Sequence, residues 1–148
     1  MMKIICVGKI KEKFFKDCID EYLKRLSKYA KLEIIQVNDY DYDIEKTITE
    51  EGKSILSKIK EKDYVITLEI DGNKINSVEL SNLIEKNISN NIVFVIGGSY
   101  GLSSDVRKRS NYDLSFSDLT FPHQLFRIIL LEQIYRSFKI INNESYHK

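Results

Sequence analysis

Three stretches of this 148-residue sequence carry residue types that could do chemistry. Gly97-Gly98-Ser99-Tyr100-Gly101-Leu102 places three of the chain's six glycines within five residues. Paired glycines behind an apolar run let a ligand approach the backbone closely and permit positive φ. The stretch has no Lys or Arg to neutralise phosphates. That favours a positively charged ligand, such as the sulfonium of S-adenosylmethionine, over a plain βα turn. Ser117-Asp118-Leu119-Thr120-Phe121-Pro122-His123-Gln124 contains the only proline. Proline suits the first position of a helix, and His123 beside that start reads as a cap in preference to a ligand contact. The third stretch is the end, Asn142-Asn143-Glu144-Ser145-Tyr146-His147-Lys148. A polar terminus is disordered by default. Yet Tyr146, His147 and Lys148 supply an aromatic platform, a group that titrates near neutrality and a phosphate-seeking cation, the ingredients for holding an RNA base.

Other chemistries find no footing. There is no Gly-x-x-x-x-Gly-Lys-Ser/Thr phosphate loop, and the turn after the first apolar run holds only Gly8, so a dinucleotide fingerprint is missing. The two histidines lie in neither a His-Glu-x-x-His nor a Gly-x-Ser-x-Gly context. Cys6 and Cys18 read as two buried, reduced thiols, and no metal is expected. The formal net charge of +1 excludes a basic field over the whole molecule. The charges are nevertheless segregated: residues 1–31 carry a net of +5, residues 32–96 a net of −6 and residues 97–148 a net of +2. A polyanion would be met by the two ends of the chain if they come together, although composition alone favours a merely solubilising surface.

The elements that must position these stretches follow from periodicity. Lys3–Val7 is a short apolar run ending at Gly8. From Glu12 to Ala30 the pattern is helical, with Phe14, Phe15, Cys18, Ile19, Tyr22, Leu23, Leu26 and Tyr29 on one face. Leu32–Val37 reads as a strand, 44–60 as a helix weakened by Gly52, and Tyr64–Ile70 as a strand before the turn Asp71-Gly72-Asn73. Ser77 is expected to cap a short helix. Ile92–Ile96 has the unbroken apolar run of a strand buried on both faces. Ser103 or Ser104 caps a further short helix, Leu114–Phe116 is a brief strand, and a long helix runs from Pro122 to about Ile140. Its Ile128, Ile129, Leu130, Leu131, Ile134, Tyr135 and Phe138 point nearly all round the axis, so part of it is expected to meet a second copy of the chain. Glu132 and Arg136, four apart on that helix, are either a plain intrahelical ion pair or a pair held charged within that surface. The alternation predicts an α/β fold, a mostly parallel sheet flanked by helices, as one domain over 1–148. Ligands of such sheets bind at the carboxyl ends of the strands, where the loops 97–102 and 117–122 both emerge. The opening apolar run is too short for a signal peptide or membrane span, so a soluble, cytoplasmic chain is expected.

Several of these residues together resemble one family. The opening Met-Lys-Ile, the loop Ile96 to Leu102, the run Leu119-Thr120-Phe121-Pro122-His123-Gln124, the helix Leu125 to Arg136 ending Glu132-Gln133-Ile134-Tyr135-Arg136, and the terminal Tyr146-His147-Lys148 are similar to the RlmH family. These are 23S ribosomal RNA pseudouridine N3-methyltransferases of the SPOUT superfamily, and the resemblance covers the whole chain. It implies a homodimer, a trefoil knot in the C-terminal part and S-adenosyl-L-methionine as methyl donor. Carried over position by position, the cofactor contacts are Leu68, Gly98, Ser117, Asp118, Leu119, Thr120, Phe121 and Pro122. Tyr146, His147 and Lys148 match the tail used near the substrate base, and Glu132 and Arg136 match a polar pair beside it. Ser99 and Ser145 stand where the family often has proline. The alternative is a ribosome-associated RNA-binding protein that keeps the fold without the chemistry. A regulatory nucleotide-binding module would suit the α/β pattern but not the tail.

Overall fold

The computed structural model describes every residue, Met1–Lys148. Five strands, β1 (Met2–Val7), β2 (Leu32–Val37), β3 (Tyr64–Lys74), β4 (Ile92–Ile96) and β5 (Tyr112–Ser115), form one sheet in the order β2-β1-β4-β3-β5. Every pairing is parallel. Five helices alternate with them: α1 (Lys13–Leu26), α2 (Ile44–Leu56), α3 (Ser77–Lys86), α4 (Ser104–Arg109) and α5 (His123–Ile141).

Side chains of a strand alternate between faces, and both faces here are covered. Ile4 and Cys6 of β1, with Ile92, Phe94 and Ile96 of β4, join the larger core beneath α1, α3 and α5. Ile5 and Val7, with Val93 and Val95, join a smaller core beneath α2 and α4. That two-sided burial is why β4 is apolar without interruption. Helix α5 packs between α1 and α3, so the basic opening and the C-terminal segment do meet. Most of its apolar girth is spent inside the chain: Leu130, Leu131 and Ile134 are fully buried and Tyr135 and Phe138 nearly so. Ile128 and Ile129 are partly buried, and Leu125 is exposed.

Three local readings are corrected, and one glycine finds its reason. Asn76, not Ser77, caps α3, in a reciprocal capping box with Glu79. Asp71-Gly72-Asn73 is not a terminal turn. β3 continues to Lys74 through a bulge, pairing both Leu68 and Asn73 with Leu114 of β5. A Cβ on Gly72 would lie 2.9 Å from the backbone of Asp113, so only glycine lets the bulge close on β5. Gly52, expected to weaken α2, is where α2 meets α4: a Cβ there would lie 2.9 Å from Ser103 Cβ. Cys18 is exposed, while Cys6 is buried with its thiol pushed up to about 11 by desolvation. No helix is long and apolar enough to cross a membrane.

Candidate active site

The carboxyl ends of β3, β4 and β5 open on a cavity of about 620 Å³, within the range of cofactor sites. Its walls are the bulge of β3 (Leu68 to Ile70), the glycine loop 97–102 and the segment 114–121. Half of the lining residues are apolar, among them Ile96, Leu102 and Phe126. Its one lysine or arginine is Arg107, whose Nε lies 3.3 Å from Glu69 Oε1. Glu69 in turn accepts from the hydroxyl of Thr67 at 2.7 Å. The cavity thus offers apolar walls and backbone with no unbalanced cation, which suits an adenosyl group carrying a sulfonium and disfavours a polyphosphate.

Six of the expected cofactor residues line this cavity: Leu68, Gly98, Ser117, Leu119, Thr120 and Phe121. Asp118 and Pro122 do not. Asp118 is turned to solvent and paired with Lys74, while Pro122 is the N-cap residue of α5. Ser117 shapes its own loop, its hydroxyl accepting from Leu119 N at 3.0 Å. His123 is not the cap. The cap makes no side-chain hydrogen bond, and the half-buried imidazole lines the cavity instead. Burial, reinforced by the charge of Arg127, holds His123 below the usual imidazole range.

The glycine loop folds on itself, with Gly101 N donating to Gly98 O at 3.1 Å and Gly101 at φ +84°. A Cβ on Gly98 would point at the carboxylate of Glu51, 2.6 Å from Oε1. The bare backbone at this position is therefore demanded by a neighbouring side chain. Glu51 is buried in α2, where its Oε2 accepts from Tyr40 N at 3.3 Å and Oε1 has no partner. Desolvation raises its pKa against that backbone bond.

The tail is ordered. Tyr146 packs edge-on against Tyr135 at 5.1 Å, lies 4.9 Å beneath the Arg136 guanidinium and donates its hydroxyl to Glu132 Oε1 at 3.1 Å. Glu132 and Arg136 form the intrahelical ion pair, at 2.6 Å, and Glu132 also accepts from Gln133. Arg136 Nη1 donates to His147 Nδ1 at 3.1 Å, leaving the imidazole proton on Nε2. Glu144 is held by Lys139 at 2.8 Å and by Tyr29. One polar helix face thus fixes the tail despite Ser145. None of Tyr146, His147 or Lys148 borders the cavity of its own chain, and His147 lines a neighbouring hollow with Leu114, Phe116 and Ile129.

Sequence reasoning passed over Glu51, Glu69, Arg107 and Arg127. Two of them left a signal. Glu51 stands on the inward stripe of α2, three residues after Ile48 and four before Ile55, and Arg127 interrupts the most apolar helix. Arg127 is 1% exposed and donates through Nη2 to Val7 O at 2.6 Å and Gly8 O at 2.9 Å.

Comparison with known proteins agrees with this geometry. A family model described as "Predicted SPOUT methyltransferase" matches residues 1–147. The chain is 54% identical to ribosomal RNA large subunit methyltransferase H 1 of Clostridium perfringens (strain SM101), covering 98% of each chain. It is equally similar, over 98% of both chains, to a putative ribosomal RNA large subunit methyltransferase H of Methanococcus vannielii. Identity to the enzyme of that name from Clostridium botulinum (strain Langeland) is also 54%, over 99% of each chain. Matched from end to end, with a cation-balanced cavity between its glycine loop and the segment before α5, the chain belongs to the SPOUT methyltransferase family.

Proposed function

We propose that this protein transfers the methyl group of S-adenosyl-L-methionine to N3 of a pseudouridine in 23S ribosomal RNA, acting in the cytoplasm as a homodimer with a knotted C-terminal segment. The observation that carries the reading is the cavity at the carboxyl edge of the sheet, apolar, backbone-walled and without an unbalanced cation. The names of the relatives support an RNA of the large ribosomal subunit as substrate.

Leu68, Gly98, Ser117, Leu119, Thr120 and Phe121 would hold the cofactor, which supplies an electrophilic methyl. N3 of pseudouridine is a weakly acidic imide. It must give up its proton as the N–CH3 bond forms and the S–CH3 bond breaks, releasing S-adenosylhomocysteine. Aligning nitrogen, carbon and sulfur is the main task of the protein and can be worth several kcal/mol of barrier. His147 is the proposed proton acceptor, at the Nδ1 that Arg136 gives up when its guanidinium turns to the imide anion; Lys148 also favours that anion, and Tyr146 holds the base. Because the tail does not border the cavity of its own chain, a twofold dimer is the arrangement that serves it to the partner. Exposed Leu119 and Leu125, beside the cavity and on α5, support that interface. Calorimetry tests the cofactor assignment: S-adenosylmethionine should bind and ATP should not. Binding of ATP alone would replace this reading with a nucleotide-binding module.

A further inference from the structure

A second cavity, of about 550 Å³, lies at the same edge of the sheet, where β1 and β2 end. It adjoins the cofactor cavity and shares Gly98, Ser99, Tyr100 and His123 with it, so the two meet along the glycine loop. Its lining is mainly polar and carries both signs of charge, with Lys9, Lys11 and Asp39 among it.

Two of its residues are charged, buried and short of partners. Glu51 is 4% exposed with Oε1 unpaired, and Arg127 is 1% exposed with Nε and Nη1 unpaired. They do not pair with each other: Glu51 holds Tyr40 N, and Arg127 holds Val7 O and Gly8 O. Buried polar atoms are almost always satisfied in folded proteins, and an unsatisfied one calls for an explanation. Leaving a carboxyl oxygen and two guanidinium donors unpaired in residues that line one cavity is costly unless a ligand supplies both a donor and an acceptor. A planar base does so. Enzymes that act on a base of structured RNA take it out of its stack and read its edge by hydrogen bonds. Lysines at the rim suit the flanking phosphates, and Tyr100, half exposed on the shared loop, offers a stacking face.

Pseudouridine differs from uridine in one hydrogen-bonding group on its ring, an N1–H donor. Its C2 carbonyl lies between that donor and N3. We propose that the second cavity is the pocket for the extruded target base, in which Glu51 accepts the N1–H of pseudouridine and Arg127 donates to a ring carbonyl flanking N3. Glu51 is then the residue that separates pseudouridine from uridine, and Arg127 favours the imide anion that attacks the methyl. This rests on the methyltransferase reading above and deepens it by giving the base a place and a reader.

The probes are pseudouridine 5′-monophosphate and uridine 5′-monophosphate, titrated at millimolar concentration into the full-length protein saturated with S-adenosylhomocysteine. The backbone amide resonances of Gly8, Asn38 and Tyr40 report on the cavity. Pseudouridine monophosphate should shift them, and uridine monophosphate should need a concentration about 10- to 100-fold higher, as expected for one hydrogen bond to a charged group. Glu51→Gln, close to isosteric, keeps an acceptor without the charge and should reduce that difference to about 10-fold or less while leaving cofactor affinity unchanged. Equal responses in the unmodified protein would overturn the proposal, as would no response to either nucleotide, which would mean that the cavity holds only water. Loss of cofactor binding in Glu51→Gln would overturn it too, making Glu51 a prop for the glycine loop. Calorimetry with S-adenosylmethionine, run alongside, separates these outcomes from a failure of the methyltransferase reading, which would show as no cofactor binding at all.

Discussion

Gly98→Ala is predicted to damage cofactor binding through a residue that does not touch the cofactor cavity. The added methyl would lie 2.6 Å from Glu51 Oε1 and 3.3 Å from Cδ, where real Cβ atoms are essentially never found below 3.0 Å. Glu51 cannot swing away cheaply, because it is buried in α2 and tied through Oε2 to Tyr40 N. The loop must therefore move, and overpacking of this kind costs about 1–3 kcal/mol. Taken from the bound state, that is a loss of roughly 5- to 150-fold in affinity. Glu51→Ala removes the obstruction together with an unpaired buried oxygen, at the loss of one long hydrogen bond, so alone it should cost about 1 kcal/mol or less. In Gly98→Ala/Glu51→Ala, cofactor affinity should return to that of Glu51→Ala, a coupling energy of about 1–3 kcal/mol. Calorimetric titration of S-adenosylmethionine into the four proteins measures it. Additivity within about 0.5 kcal/mol would show that the Gly98 methyl is harmful for a reason unconnected with Glu51.

Leu125→Glu should give a folded monomer by light scattering and Ile134→Glu an unfolded chain, because Leu125 is 37% exposed and Ile134 0%; a dimeric Leu125→Glu protein counts against α5 as interface. Arg127→Met strips Val7 O and Gly8 O of their donor while relieving two bare guanidinium nitrogens, so urea melts should show a net loss of about 1–3 kcal/mol. His123 has its folded pKa lowered, so the unfolded chain binds more protons and stability should fall as pH drops below about 6.5. His123→Gln should flatten that limb of the stability profile, and an unchanged profile removes the imidazole from the account. Deleting residues 146–148 should abolish methyl transfer with S-adenosylmethionine affinity nearly intact, because the tail is proposed to meet the base and the cofactor is held by the cavity walls; full single-turnover activity on ribosomes would show the tail to be dispensable.

The architecture was legible because hydrophobic period records which faces of an element are covered. The unbroken run Ile92–Ile96 could only be a strand covered twice, and the loops after it fell at the ligand edge. Periodicity reports faces, however, and not what covers them. The apolar girth of α5 predicts a second copy over part of its surface, and does not tell which part: α1 and α3 consume most of it within the chain. Cys18 lies with Phe14, which is 62% exposed, at the rim of the stripe centred on Ile19 and Leu26, where rotation about the helix axis separates buried from exposed. Charged groups brought into the interior by tertiary contacts were the least visible. Glu51 and Arg127 lie 76 positions apart, and nothing local says that the loops after β1 and β4 bring them to one cavity. The order of the tail was hidden similarly, since Tyr146 is held by Glu132 fourteen residues earlier.

The central claim is the reaction. The protein should be incubated with S-adenosylmethionine carrying an isotopically labelled methyl group and with ribosomes from a strain lacking this modification. The large-subunit RNA is then digested to nucleosides for mass spectrometry. The proposed reaction predicts label in 3-methylpseudouridine and in no other nucleoside. Label on a base other than pseudouridine, or no label in RNA from a protein that binds the cofactor, would contradict it.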